Sequence, residues 1–310
     1  MVEGSPARSG LQGVHGGSGV QDHIGEVEIP GLPLFRRGKV RDTFDLGDQL
    51  LIVATDRISA FDSVLPTLIP DRGRVLTAMS RYWFGKTADL VPNHLLEDDA
   101  TAFLVGPLAK LEGRAMRVSK AERIDVECVV RARLAGSGWQ EYQATGQLAS
   151  EPVPPGLPFG AELPELRFTP ASKNDHGHDE NITRKQLAEQ VGSELARRLE
   201  ELSLEIFRRA QAHCQEVGFT LVDSKFEFGF VHGSLTLIDE LLTPDSSRFW
   251  DADQAGGEPP HEFDKQPIRD YLLSTGWDRN PPAPALPLRL VEETRSRYLE
   301  ASRRITGTDL

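Results

Sequence analysis

The sequence predicts an α+β protein of two lobes, a mostly antiparallel lobe followed by a larger one that mixes helices and strands. The chain has 310 residues, enough for two lobes around a shared cleft, each with its own core. Its first part reads as strand and turn; its second holds a long helical stripe followed by an alternating strand pair. The change falls near Ser119–Arg123. The expected organisation is a flexible tail over 1–24, a first lobe over 25–118 and a second over 119–310.

Taken in order, Gly38 to Thr55 reads as a hairpin. Val40, Thr43 and Phe44 lead to the polar turn Leu46-Gly47-Asp48-Gln49, and the apolar run 50–54 returns. Residues 74–91 read as a helix, with Leu76, Met79, Trp83 and Phe84 at helical spacing. Strand-like runs follow at Arg114–Val118 and Val126–Arg133. Five prolines between 151 and 168 predict a long irregular connection. A helical region starting at Asn181 or Thr183 runs to Gly218, with Thr183 and Gln186 as a capping box and Gly192-Ser193 as a break.

The segment Leu221–Phe230 alternates. As a strand it puts Phe226, Phe228 and Phe230 on one face and Asp223, Lys225 and Glu227 on the other. With a three-residue turn at His232-Gly233-Ser234, Glu227 pairs with Asp239 on the returning strand. Two facing carboxylates repel unless a cation lies between them, and Mg²⁺ takes one or two carboxylates together with nucleotide phosphates. An ordinary solvated hairpin face is the plainer alternative.

Composition narrows the function. With 35 Lys+Arg against 47 Asp+Glu, the net charge of −12 opposes nonspecific binding to nucleic acid or an anionic membrane. The longest strongly apolar stretch, Leu50–Ala54, is too short to span a bilayer. Cys128 and Cys214 form neither a disulfide framework nor a zinc motif, which fits a reducing cytoplasm.

Cations are gathered locally. Lys39 and Arg41 share a strand face after Gly38; Arg131 interrupts an apolar run and needs a carboxylate or an anionic ligand. Gly136-Ser137-Gly138 offers backbone amides for a phosphate. Ser247, Arg248 and Arg269 stand near turn and helix-start motifs, where anions are favoured. The loop Lys173–Asp179 is densely polar, and its His176 and His178 lack a third ligand at metal spacing. For each segment alone, a structural salt bridge or a surface turn stays open.

In this order, Gly38-Lys39-Val40-Arg41-Asp42, Asp56-Arg57-Ile58-Ser59-Ala60-Phe61-Asp62, Glu127–Arg131, Ala135-Gly136-Ser137, Lys173-Asn174-Asp175, Asp223–Gly229, Asp239-Glu240 and Pro244–Arg248 resemble the phosphoribosylaminoimidazole-succinocarboxamide synthase (SAICAR synthetase) family, in its longer branch. The resemblance covers about residues 30–300. It implies a two-lobed fold with ATP in the cleft, and a cytoplasmic step of purine synthesis. In that step ATP, the carboxylated aminoimidazole ribonucleotide (CAIR) and L-aspartate give SAICAR, ADP and phosphate. The longer branch tends to be monomeric.

Carried over by motif, Lys39 and Arg41 line the ATP phosphates, and Lys120 and Ala121 lie at the hinge near adenine. Glu227 and Asp239 hold Mg²⁺, with Glu227 also at the ATP site, while Lys173 and Lys225 face the phosphates as catalytic cations. Arg131, Ser137 and Arg248 seat the ribose 5′-phosphate, with Ser247 and Arg269 close by. Asp62 and Asp223 face the imidazole. A base for the aspartate amine is sought among Asp175, His176 and Asp179. A kinase-like phosphotransferase on the same ATP cleft is the alternative enzyme, and a nucleotide-binding module without catalysis is the non-enzymatic one.

Overall fold

The computed structural model describes residues 23–96, 106–173, 180–252 and 262–310. Strands β1 (Leu34–Arg37), β2 (Arg41–Asp45) and β3 (Gln49–Ala54) build the first sheet. A separate hairpin, β4 (Arg57–Ala60) and β5 (Ser63–Leu68), precedes helix α1 (Arg72–Thr87), and β6 (Ala115–Ser119) completes the order β1-β2-β3-β6. Asp45 pairs with Leu50, so the expected polar turn closes the β2–β3 hairpin, with Gly47 at φ 95° and its N–H donated to Asp45 at 2.8 Å. Helix α1 stops earlier than its apolar spacing predicts. Pro92 pushes the residue before it out of the helical region, so the chain must straighten by Val91.

The chain leaves the first sheet at Ser119 and enters the second at Glu122, the start of β7 (Glu122–Arg133). Helix α2 (Gly136–Thr145) follows, then the short pair β8 (Gln147–Leu148) and β9 (Glu151–Pro152). The proline-rich stretch is not wholly irregular, because β10 (Glu162–Phe168) pairs with β7. Pro164 is tolerated because the register slips between Glu162 and Arg167, where no ladder donor is required.

Beyond β11 (Ala171–Ser172) and β12 (Glu180–Asn181) come α3 (Arg184–Val191) and α4 (Ser193–Glu216). The Thr183/Gln186 capping box starts α3, and Gly192 at φ 86° separates the helices. Strands β13 (Phe219–Val231), β14 (Ser234–Ile238) and β15 (Ser247–Asp251) are followed by α5 (Gln266–Ser274) and α6 (Leu288–Thr306). The second sheet runs β12-β11-β7-β13-β14, with β10 on β7 and β15 on β13.

The two sheets share a core. One buried cluster holds Ile52 and Ala54 of β3, Met79 and Trp83 of α1, Cys128 and Val130 of β7, Ile206 and Phe207 of α4, and Phe226 and Phe228 of β13. The outer face of the first sheet packs Phe44, Leu51 and Val53 against Ile24, Val27 and Ile29. Ile24, assigned by the sequence to the flexible tail, is therefore core, and its N–H is donated to Asp56 at 3.0 Å. Residues 1–22 of that tail lie outside the described residues.

Segment 92–96 ties the sheets together. Leu237 of β14 donates to Pro92 and accepts from His94 at 2.9 and 3.0 Å, while β6 is bound by Ser119 to His94 and Leu96 to Arg117 at 2.8 and 3.0 Å.

Gly229 lies where β13 slips in register against the start of β7; a Cβ there would stand 2.7 Å from the Glu122 carbonyl and 3.2 Å from the Ala121 Cβ. Gly229→Ala is therefore expected to cost about 1–3 kcal/mol, as overpacking does, measured as a lowered urea midpoint with an unchanged slope.

Candidate active site

Strand β13 organises the site. Its core face, Phe226 and Phe228, is anchored beside α4, with Phe230 partly buried on the same side. The opposite face carries Asp223, Lys225 and Glu227, as alternation predicts. The slip between Leu221 and Asp223 against β15 lets Phe219 and Leu221 also reach the core.

The expected register between Glu227 and Asp239 is not the observed one. The turn has two residues, His232 and Gly233, both at positive φ (49° and 79°), so Val231 pairs with Ser234 and Glu227 with Ile238. A strand continued in that register would turn Asp239 to the far face. Instead Asp239 leaves the strand at φ 72°, and its carboxylate interacts electrostatically with Glu227. A left-handed residue, and not strand pairing, brings the two acids together.

Cations surround this pair. Arg41 meets Asp239 at 2.8 Å and Glu240 at 3.4 Å; Lys173 bonds Glu227; Lys225 bridges Glu127 and Glu227 at 2.7 and 2.6 Å. Burial works against each of these charges. For Glu227 it is outweighed by Lys225 and Lys173, despite the repulsion of Asp239, and the carboxyl stays below its usual range. Asp239 is likewise lowered, with Arg41 the largest opposing influence, while Glu227 and Glu127 hold Lys225 well above its ordinary value. Among the described residues no three His, Cys, Asp or Glu side chains form a complete metal cage. Two ionised, closely coupled carboxylates do fit a Mg²⁺ ion that completes its shell with phosphate oxygens and water.

Further along β13, Asp223 accepts from Arg131 at 3.3 Å and from Arg248; Arg131 also donates to Ser137 and Thr169, each at 3.0 Å. Burial, offset in part by Asp223, and the like charge of Arg248 lower the Arg131 pKa. Arg131 and Arg248 thus share Asp223, and both guanidinium groups stand beside the start of α2. Residues 136–138, expected as a turn, form the first turn of α2, whose N-cap Ala135 supplies no side-chain cap, the setting in which helix amides can receive an anion. The small residues leave room for the arginines: a Cβ on Gly136, itself at φ 52°, would run into the Arg248 guanidinium, and one on Gly138 would stand 3.0 Å from Arg131 Cδ.

Ser137, Arg248 and Arg269 line a cavity of about 530 Å³ together with Phe61, Glu262 and Arg279. Arg248 and Arg269 reach Asp264 at 3.4 and 3.5 Å. A larger groove of about 840 Å³ lies elsewhere, between α1 and α6; its Arg295 is paired with Asp71 at 2.6 Å.

Other expected residues are placed less simply. Lys39 and Asp62, assigned to different ligands, are ion-paired; Asp62 follows Phe61 in a two-residue turn with both at positive φ. Lys120 lies 3.1 Å from Asp45 and 4.8 Å over the Phe35 ring, beside Ala121 in the link between sheets. The Ser247 hydroxyl is buried against Ser224 at 2.9 Å. Asp175, His176 and Asp179 lie outside the described residues.

Sequence reasoning missed Glu127, Glu240, Asp264, Glu262 and His94 as parts of the site. Glu127 and Glu240 stand inside the motifs that carry the family resemblance, which was the usable signal; the fold then pairs Glu127 with Glu227 across β7 and β13, so its side chain shares that face. Burial pushes the His94 imidazole down to about 4, against the opposing influence of the nearby Asp239.

The SAICAR synthetase family matches residues 34–284. A phosphoribosylaminoimidazole-succinocarboxamide synthase of Syntrophobacter fumaroxidans is 48% identical, over 94% of this chain and 99% of that one. A structure of SAICAR synthase from Saccharomyces cerevisiae complexed with SAICAR superposes with a TM-score of 0.84 at 38% identity, over 93% of this chain and 99% of that one. A SAICAR synthetase solved in complex with ADP shares the fold at a TM-score of 0.65 and 24% identity, over 89% and 98% of the two chains.

Burial, with Asp264 and Asp270 outweighing Arg248 and Arg269, raises Glu262 to about 7. Above that pH it adds a negative charge to the cavity, so binding of sulfate, whose own charge is constant there, should weaken roughly two- to fivefold as pH rises through neutrality. Calorimetric titration should show this inflection in the wild type and not in Glu262→Gln.

Proposed function

The chain belongs to the SAICAR synthetase family, and we propose that the polar face of β13 is where it carries out that family's reaction, the ATP-dependent joining of CAIR and L-aspartate. One observation carries the assignment of the site: a single strand aligns an acidic, cation-ringed cluster at Glu227 with an arginine-lined anion seat at Asp223. The reaction needs both, a place for nucleotide phosphates and one for a ribose phosphate, with the carboxylate to be activated between them. Asp223 and Glu227 lie two same-face steps apart on the strand, about 13 Å, which leaves room for a ribosyl imidazole between the two ends.

In this reading Arg131, Ser137, Arg248 and the first-turn amides of α2 hold the 5′-phosphate of CAIR, with Arg269 behind them. Asp223 orients both arginines and faces the imidazole. Lys39, Arg41, Lys173 and Lys225 draw the nucleotide phosphates toward Glu227 and Asp239, with Lys120 and Ala121 at the inter-lobe link near adenine. Glu227 and Asp239 would hold Mg²⁺, which when bound offsets the charge of the phosphates. A carboxylate is a poor electrophile. Its oxygen attacks the γ-phosphorus, ADP leaves, and the acyl phosphate then accepts the aspartate amine and releases phosphate. The protein's part is chiefly positioning and charge.

Among the described residues no helix is long and apolar enough to cross a membrane. The two cysteines are free and buried, which is compatible with a reducing cytoplasm.

ADP formation is expected to require CAIR and aspartate together; ADP formed without aspartate, alongside a stable phosphorylated product, would favour the kinase-like alternative. The double variant Glu227→Gln, Asp239→Asn should lose roughly 100-fold or more in turnover. Arg131→Ala should raise KM for CAIR roughly tenfold or more, the scale of a charged hydrogen bond, with KM for ATP little changed. Steady-state kinetics in each substrate checks both.

A further inference from the structure

Two strained loop tips meet at the cavity that holds Ser137, Arg248 and Arg269. Phe61 and Asp62, at φ 49° and 61°, form the tip of the β4–β5 hairpin, and Arg279, at φ 67°, lies in the loop after α5. Phe61 and Arg279 both line the cavity. The Arg279 guanidinium stands over the Phe61 ring, 4.6 Å from its centre, and the Arg279 carbonyl accepts from the Ser63 hydroxyl at 3.5 Å. The loop is stapled locally. Trp277 Nε1 donates to the Asn280 carbonyl at 2.7 Å, and Asp278 accepts from the Asn280 backbone and side-chain amides at 2.9 and 3.0 Å. Phe61 and Trp277 pack on the same buried cluster, which includes Ile268 and Leu272.

Positive φ is unfavourable for a bulky side chain, and such residues persist where the surroundings impose them, often at ligand clamps. Here two of them fix one guanidinium over one ring. The other two arginines that line the cavity are committed to acids, Arg248 to Asp223 and Asp264 and Arg269 to Asp264. Arg279 is not: among the described residues no carboxylate stands within ion-pair distance of it, neither Glu262 nor Asp270, the acids that line the same cavity. A ring face attracts an arginine without neutralising its charge. We propose that Arg279 is a substrate-binding residue for the phosphate of the ribonucleotide, and that Phe61 is the positioning residue that presents its guanidinium to the cavity. The inference rests on the reading of this cavity as the ribose 5′-phosphate seat. The same hairpin tip carries Asp62, paired with Lys39, so the turn that shapes the phosphate cavity also reaches a cation assigned to ATP.

Arg279→Ala should raise KM for CAIR roughly five- to tenfold, the scale of a charge-assisted hydrogen bond, and leave KM for ATP and L-aspartate within about twofold. Inorganic sulfate should compete with CAIR, and its inhibition constant should rise by a similar factor in the variant. An unchanged KM for CAIR, a rise confined to ATP or L-aspartate, or an unaltered sulfate constant overturns the proposal. Phe61→Leu removes the ring face and keeps apolar bulk. It should raise KM for CAIR about two- to fivefold in the wild type and add nothing in the Arg279→Ala background. Additive losses overturn the role of Phe61. Urea midpoints establish that each variant is folded; if Arg279→Ala is not, Arg279→Gln is read in the same way. Arg131→Ala, measured in parallel, separates the two readings. An unchanged KM for CAIR there, or sulfate that does not compete with CAIR in the wild type, overturns the phosphate seat itself. A raised KM there with an unaffected Arg279→Ala overturns only the role of Arg279.

Discussion

The pairing of β13 with β7, backed by α4, is the constraint on which the rest depends. A strand that buries Phe226 and Phe228 on one face must turn its intervening residues to the other, and here these are Asp223, Lys225 and Glu227. Each large aromatic gains several kcal/mol on burial by area, so the apolar face decides the orientation and the charged face follows. The polar side chains have little freedom to relax away from one another, and they arrive already grouped for chemistry.

That grouping has an electrostatic cost. Isolated charges of this kind cannot be buried, and every acid near the centre of the site is met by a cation from another element. Glu227 is met by Lys173 and Lys225, Asp239 by Arg41, and Asp223 by Arg131 and Arg248. These ion pairs occupy the directions from which phosphates and metal would approach. Binding therefore exchanges partners and does not create charge contacts from nothing. The same logic explains the two glycines at the start of α2: without side chains there, two arginines can lie across a helix N-terminus.

Much of the fold was legible because it is written in local periodicities. The β2–β3 hairpin, the capping box at Thr183, the break at Gly192 and the two faces of β13 each follow from residues within a few positions of one another. The readings that failed involved backbone detail or distant partners. The β13–β14 turn was assigned three residues because His-Gly-Ser suits either length, and only the observed strand register distinguishes them. Ile24 looked like part of the glycine-rich tail, yet Phe44, Val53 and Asp56 supply it with a place. Pro164 argued against a strand, and the register slip opposite β7 removed the objection.

The sequence alone determined which residues could do the work: the acids and phenylalanines of β13, the arginine interrupting β7, and the small residues after it. It did so because alternation and composition are local and survive without coordinates. Only the tertiary structure decided how those residues meet. Asp239 reaches Glu227 through a left-handed backbone, His94 comes near Asp239 from beyond α1, and Asp62 turns to Lys39 from a hairpin tip. Each contact depends on a single dihedral pair or on a crossing between separate sheets. No spacing rule encodes either.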